Sequence, residues 1–192
     1  MKFFFARDYK QKHRYFSSAP LSHTQLKSSR WKNILETAKK KLMLLPQRIL
    51  RQEQAFGNIL KLKEKKIQVF YSGRLKEKRI KIKFYFFLQK QRTKHIFLLI
   101  GETILLPISG LAMIIPGPNV FFGVLVLLMI THWQALKGIN RLLKKEHEFI
   151  PSLLLAEWEQ AVGSKKEEEL PGILEKIKNE YNLDNIHKIL WK

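Results

Sequence analysis

One carboxylate, Glu102, interrupts an otherwise uncharged stretch running from Ile96 to Ile130. A carboxylate in such surroundings is costly unless it is protonated, paired or hydrated, so its type and place mark a candidate proton or cation site. His132 lies just beyond, between Thr131 and Trp133, where an imidazole can relay protons and an amphipathic ring marks a membrane interface. Plainer readings stay open for both. Glu102 can sit on a wet side, paired with a base such as Lys94, and His132 can simply be solvated.

Other chemistry finds no support in the spacing. His13, His23, His95, His147 and His187 form no metal motif, so no metal ligand set and no cofactor is expected. There is no glycine-rich phosphate loop, no nucleophile elbow and no convincing carboxylate pair, so no catalytic residue is assigned and an enzyme is not expected. With no cysteine, disulfides and thiolate chemistry are excluded.

The element that must position Glu102 and His132 is the apolar stretch itself. As one straight helix it would extend roughly 52 Å, against a hydrocarbon core of about 30 Å. Pro116-Gly117-Pro118-Asn119 divides it into Ile96 to Ile115 and Val120 to about Trp133, an adequate arm and a short one. The expectation is a helical hairpin, spanning or re-entrant. Lys81, Lys83, Lys90, Arg92 and Lys94 precede it and Lys137, Arg141, Lys144 and Lys145 follow it, so a hairpin keeps both basic clusters on one side. Gly101, Pro107, Gly110 and Gly123 suit close helix packing or a discontinuous helix.

The chain of 192 residues carries a formal charge of +20, which calls for a polyanion. Residues 1–145 hold 30 Lys and Arg against 6 acids, whereas residues 146–192 hold 6 against 10. Because the positive charge flanks an apolar run and no recognition motif accompanies it, the expected partner is an anionic lipid surface and not nucleic acid.

Four regions follow. Residues 1–30 read as an N-terminal strand or two, Lys2 to Phe16, and a linker from Ser17 to Ser29. Residues 31–95 form a basic region: an amphipathic helix from Trp31 with Ile34, Leu35, Ala38 and Leu42 on one face, a weaker helical piece from Gln47 to about Leu62, and a strand through Ile67, Val69 and Tyr71 that stops at Ser72-Gly73. The run from Leu75 to Lys94 fits a strand through Ile80, Ile82, Phe84 and Phe86, or a helix leading into the hairpin. Residues 96–138 are the membrane hairpin. Residues 139–192 read as amphipathic helices, with Leu136, Ile139, Leu142 and Leu143 continuing the second arm, Pro151 and Pro171 as breaks, and Ile173 to Trp191 as the clearest. Glu167-Glu168-Glu169 beside Lys165-Lys166 is a solvated helix start. The fold class expected is a mainly α membrane protein with a few short strands. The opening Met1 to Ala6 is too short for a signal peptide, and Asp8 and the phenylalanines speak against a presequence.

From the strand Ile67 to Tyr71 through about Leu143, the chain resembles the mitochondrial potassium-proton exchange-related family, and the opening Met1-Lys2-Phe3-Phe4-Phe5 with the basic stretch after it is similar to how those proteins begin. Tyr71, His95, Pro107, Pro116, Gly117, Pro118, Asn119, His132, Trp133, Ala135, Leu136 and Gly138 carry the likeness. A weaker one links the arm-turn-arm unit to small bacterial membrane proteins with a PGPGW signature, where Asn119 and Val120 replace the Gly-Trp. The family resemblance implies a part in potassium-proton exchange, formed or assisted as a homo-oligomer or with a protein partner, since two arms cannot enclose an ion path. The alternative is a non-transporting membrane adaptor that binds anionic lipid and a protein partner. A second arm rich in Val and Leu and the lack of a presequence point to a bacterial cytoplasmic membrane, with the mitochondrial inner membrane as the alternative.

Overall fold

The computed structural model describes residues 2–18, 53, 55–61, 66–111, 120–183 and 186–191. The expected helix from Trp31, most of the linker before it, and the turn Pro116-Gly117-Pro118-Asn119 lie outside the described residues. The elements are β1 Lys2–Arg7, β2 His13–Ser17, β3 Lys66–Tyr71, α1 Glu77–Leu111, α2 Val120–Leu143, β4 Glu146–Pro151, α3 Leu153–Gly163, α4 Leu170–Tyr181 and α5 Ile186–Leu190. A helical turn at residues 55–58 runs into the 3-10 helix Ile59–Lys61. The chain divides into two compact units, one of Met1–Ala19, Leu62–Phe87 and Lys144–Lys192, the other of Pro20–Lys61 and Leu88–Leu143.

The first unit is built on a four-stranded sheet of order β2-β1-β3-β4. β1 pairs antiparallel with β2 and parallel with β3, and β3 pairs parallel with β4. Side chains alternate across a strand, so the phenylalanines of β1 serve both faces. Phe4 and Ala6 join a core with Leu155, Trp158, Leu174 and Ile177 of α3 and α4. Phe5 on the opposite face clusters with Tyr71 and with Ile80 of α1. Fully burying a side chain such as Phe4 stabilises the fold by about 1.5–3 kcal/mol.

Several polar groups of this core are paired, although Arg7 Nε and Tyr15 Oη have no hydrogen-bond partner among the described residues. Trp158 Nε1 donates to the Arg7 carbonyl at 2.7 Å. The buried Glu159 carboxylate accepts from the Arg7 amide at 3.0 Å and from Ser72 Oγ at 2.7 Å. Ser152 caps α3 by accepting from the Leu155 amide at 3.3 Å, and its hydroxyl also meets Tyr181 Oη at 2.8 Å.

Three expectations resolve here. Leu75 to Lys94 is helical from Glu77 because Ile80, Phe84 and Leu88, spaced by four, are the buried set, while Ile82 and Phe86 of the strand-like alternation stay exposed. Residues 139–192 are not helical throughout, since Glu146–Pro151 forms edge strand β4, which completes the sheet beside β3. The expected helix from Ile173 to Trp191 is two: Asn182, left-handed at φ 54°, ends α4 before α5 begins. Glu167-Glu168-Glu169 does precede a helix, α4, and Glu167 accepts a hydrogen bond from Tyr9.

In the second unit the later part of α1 and all of α2 form the two arms. Pro107 lies inside α1 without ending it. Phe122–Leu143 is one helix long and apolar enough to cross a membrane among the described residues. Along α1, Phe97, Ile100, Ile104 and Ile108 are each more than half exposed. Such a run of large apolar side chains is a surface for lipid or protein rather than water. Among the described residues nothing lies within 4 Å of a Cβ at Gly101 or Gly123, so neither marks a close backbone approach to them. Gly138 does: a Cβ there would lie 1.9 Å from the Phe56 carbonyl oxygen. Arg141 Nη1 donates to the Leu60 carbonyl at 2.7 Å, a second tie between α2 and residues 55–61.

Candidate functional site

Glu102 and His132, singled out separately in the sequence, meet across the two arms. His132 Nδ1 lies 2.5 Å from Glu102 Oε1, and both side chains are buried. A carboxylate accepts, so His132 carries its proton on Nδ1 and donates it. The partner of Glu102 is therefore His132 and not Lys94. Lys94 instead stands 3.6 Å from Glu53 Oε1, and Glu53 Oε2 lies 3.4 Å from His132 Nε2.

His95 completes the cluster. It is fully buried on α1, its ring 5.5 Å from that of His132 and edge-on to Phe56 at 6.4 Å. Among the described residues neither of its nitrogens has a hydrogen-bond partner, nor has Glu102 Oε2. Burial draws the His95 imidazole down to about 4, against the pull of the Glu53 charge. For Glu53, burial acts upward, but the hydrogen bond from His132 and the charges of His132, Lys94 and His95 outweigh it and hold the carboxyl below its ordinary value.

Helix geometry explains the convergence on α1, where His95 and Glu102 are seven residues, two turns, apart and so share a face. Glu53 reaches the cluster because Gly138 lets the backbone around Phe56 press against α2. Glu53 carries no sequence signal: it sits in a basic stretch, without the apolar surroundings that expose Glu102. The ligand-capable atoms of Glu53, His95 and His132 lie within 4.8 Å of one another, although the positions spread from 53 to 132 and no short motif announces them.

The remaining site residues serve structure or surface. Trp133 is half exposed with Lys137 Nζ 4.9 Å above its ring, and Gly138 is the contact glycine. An open groove lined by Ile96, Leu99, Ile100, Thr103, Ile104 and Leu136 is apolar, and its one hydroxyl, on Thr103, already donates to the Leu99 carbonyl.

These features define a class: a mostly helical protein with a small α/β unit and a second unit whose two helical arms are joined by a buried acid-imidazole cluster. The chain belongs to the mitochondrial K+-H+ exchange-related family, whose profile matches residues 8–145. The match takes in Glu53 as well as His95, Glu102 and His132. No curated protein and no solved structure matches.

Proposed function

We propose that the protein takes part in K+-H+ exchange across a membrane, with the hairpin inserted in the bilayer and the Glu102-His132 pair as its proton-carrying group. The observation that carries this reading is the 2.5 Å contact between the only carboxylate of the apolar stretch and a buried imidazole on the opposite arm. A pair of this kind can release its proton and leave a carboxylate for a monovalent cation, the competition an exchanger needs. Glu102 Oε2, buried without a partner, is the free oxygen on which that cation would bear.

Membrane insertion is supported by the outward-facing apolar side chains of α1 and by Phe122–Leu143. A hairpin, rather than a single crossing, is supported by the sheet. β3 and β4 are hydrogen-bonded neighbours, so residues 66–71 and 146–151 stand on one side of any bilayer, and the chain between them must return to that side. Two arms cannot enclose an ion path, so the working form is an oligomer of this chain or a complex with a partner protein, without enzymatic chemistry. The family's description favours the mitochondrial inner membrane over a bacterial one.

The test is reconstitution in liposomes and measurement of pH-driven K+ flux. Wild type is expected to exchange, and both Glu102→Gln and His132→Gln to fall to the level of protein-free vesicles. Flux indifferent to both substitutions overturns the site assignment.

A further inference from the structure

The acid-imidazole cluster offers more than a proton pair. We propose that Glu53, His95 and His132 form a binding site for one transition-metal dication of the Zn2+ class, with Glu102 orienting His132. The proposal stands on the donor atoms alone and does not require the exchange reading.

The first support is the orientation of His132. With Nδ1 donating its proton to Glu102, the ring turns Nε2 toward Glu53 Oε2, and loss of the Nε2 proton frees a lone pair there for a metal. A proton on Nε2 bridges that 3.4 Å contact when no metal is bound, and a dication can take the place of the proton between the same two atoms. A carboxylate holding the far nitrogen of an imidazole is also how metal-bound histidines are oriented and made more basic.

His95 is the second support. A fully buried imidazole with neither nitrogen satisfied is rare and costly, and a metal bond would relieve one of them. The third is distance. Zn2+ bonds of about 2.0–2.2 Å to nitrogen and oxygen put neighbouring donors of a tetrahedron roughly 3.3–3.5 Å apart. Glu53 Oε2 and His132 Nε2 already have that spacing, and all three ligand atoms fall within 4.8 Å, so His95 need shift only slightly.

Two imidazoles and one carboxylate select a borderline ion over Mg2+ or Ca2+, which prefer oxygen, and leave the fourth position of a tetrahedron for water. Lys94, 42% exposed and 3.6 Å from Glu53 Oε1, marks where the cluster meets solvent and leaves Oε2 as the ligand. A bound ion would tie together α1, α2 and the segment that carries Glu53, three stretches far apart in sequence.

The test uses chelator-treated full-length protein in detergent, titrated with Zn2+, Co2+ and Mg2+. Expected are one Zn2+ per chain, Co2+ absorption bands of tetrahedral intensity, and no response to Mg2+. Glu102→Gln should weaken Zn2+ roughly 10- to 100-fold, as loss of an orienting partner does, and His95→Gln and Glu53→Gln should weaken it further. His187→Ala, on an exposed histidine of the other unit, should leave affinity unchanged. Absence of stoichiometric Zn2+ binding, or wild-type affinity in folded His95→Gln and Glu53→Gln, overturns the proposal. Should those variants fail to fold, X-ray absorption of the Zn2+-loaded wild type decides: two imidazole ligands uphold the site, and fewer overturn it. No flux is measured, so failure here leaves the exchange reading intact, and failure of exchange leaves this result intact.

Discussion

His132 holds two carboxylates at once, Glu102 through Nδ1 and Glu53 toward Nε2, with Lys94 as the nearby fixed positive charge. Buried ionic groups of this kind add little net stability, because desolvation cancels much of the attraction, yet removing one member leaves the others uncompensated. Net stability by itself therefore does not account for the cluster. His13, in the other unit, is a simpler case. It stacks on Phe5 at 4.8 Å, while Lys83 stands 5.7 Å above that same Phe5 ring. Partial burial, then the charges of Lys83 and Arg7, lower its pKa below 6.5. The neutral ring is thus favoured in the folded chain, so its contribution to stability is present above pH 6.5 and is lost as pH falls through the lowered pKa. An NMR titration of the His13 ring should show a midpoint below 6.5 that rises in Lys83→Gln. A midpoint at or above 6.5 in the wild type would contradict this account.

Among the elements, α2 and the segment around Phe56 approach so closely that only a glycine fits between them. Gly138→Ala places a methyl group 1.9 Å from a backbone carbonyl oxygen, and a backbone has no flexible end to yield. The expected cost is about 1–3 kcal/mol of stability, read as a lower unfolding midpoint in detergent. Gly101→Ala is the matched control, because nothing lies within 4 Å of its Cβ. It should be neutral or gain up to about 1 kcal/mol from better helix propensity. Equal destabilisation by both would show that the close approach at Gly138 does not matter. The same contact bears on the site, since the segment it holds carries Glu53.

For the molecule as a whole, the sheet constrains the topology of the proposed membrane insertion. The two apolar arms lie in the chain between two strands that pair with each other, which ties the entry and the exit of this stretch to one unit. The native chain lacks cysteine, so single cysteines at Arg74, Asn119 and Ser164 can be labelled without background. Arg74 and Ser164, both exposed, should react from the same face of sealed vesicles, and Asn119 should not react from that face. Reaction of Arg74 and Ser164 from opposite faces would rule out the hairpin.

The sequence alone determined what depends on near neighbours. Strands β1 to β3, the two helical arms, the basic flanks and the chemical oddity of Glu102 all follow from periods of two or 3.6 residues and from local composition. Strand β4 escaped because its pattern is short, half polar and ends in proline, and it is a strand only by virtue of β3, paired to it from far upstream. Likewise the sequence named Glu102 and His132 but could not say that they touch, and it gave no hint of Glu53. Those facts were decided by tertiary structure alone: hydrophobic period is fixed by the geometry of a single helix or strand, whereas the meeting of an acid with an imidazole depends on where separate segments come to rest.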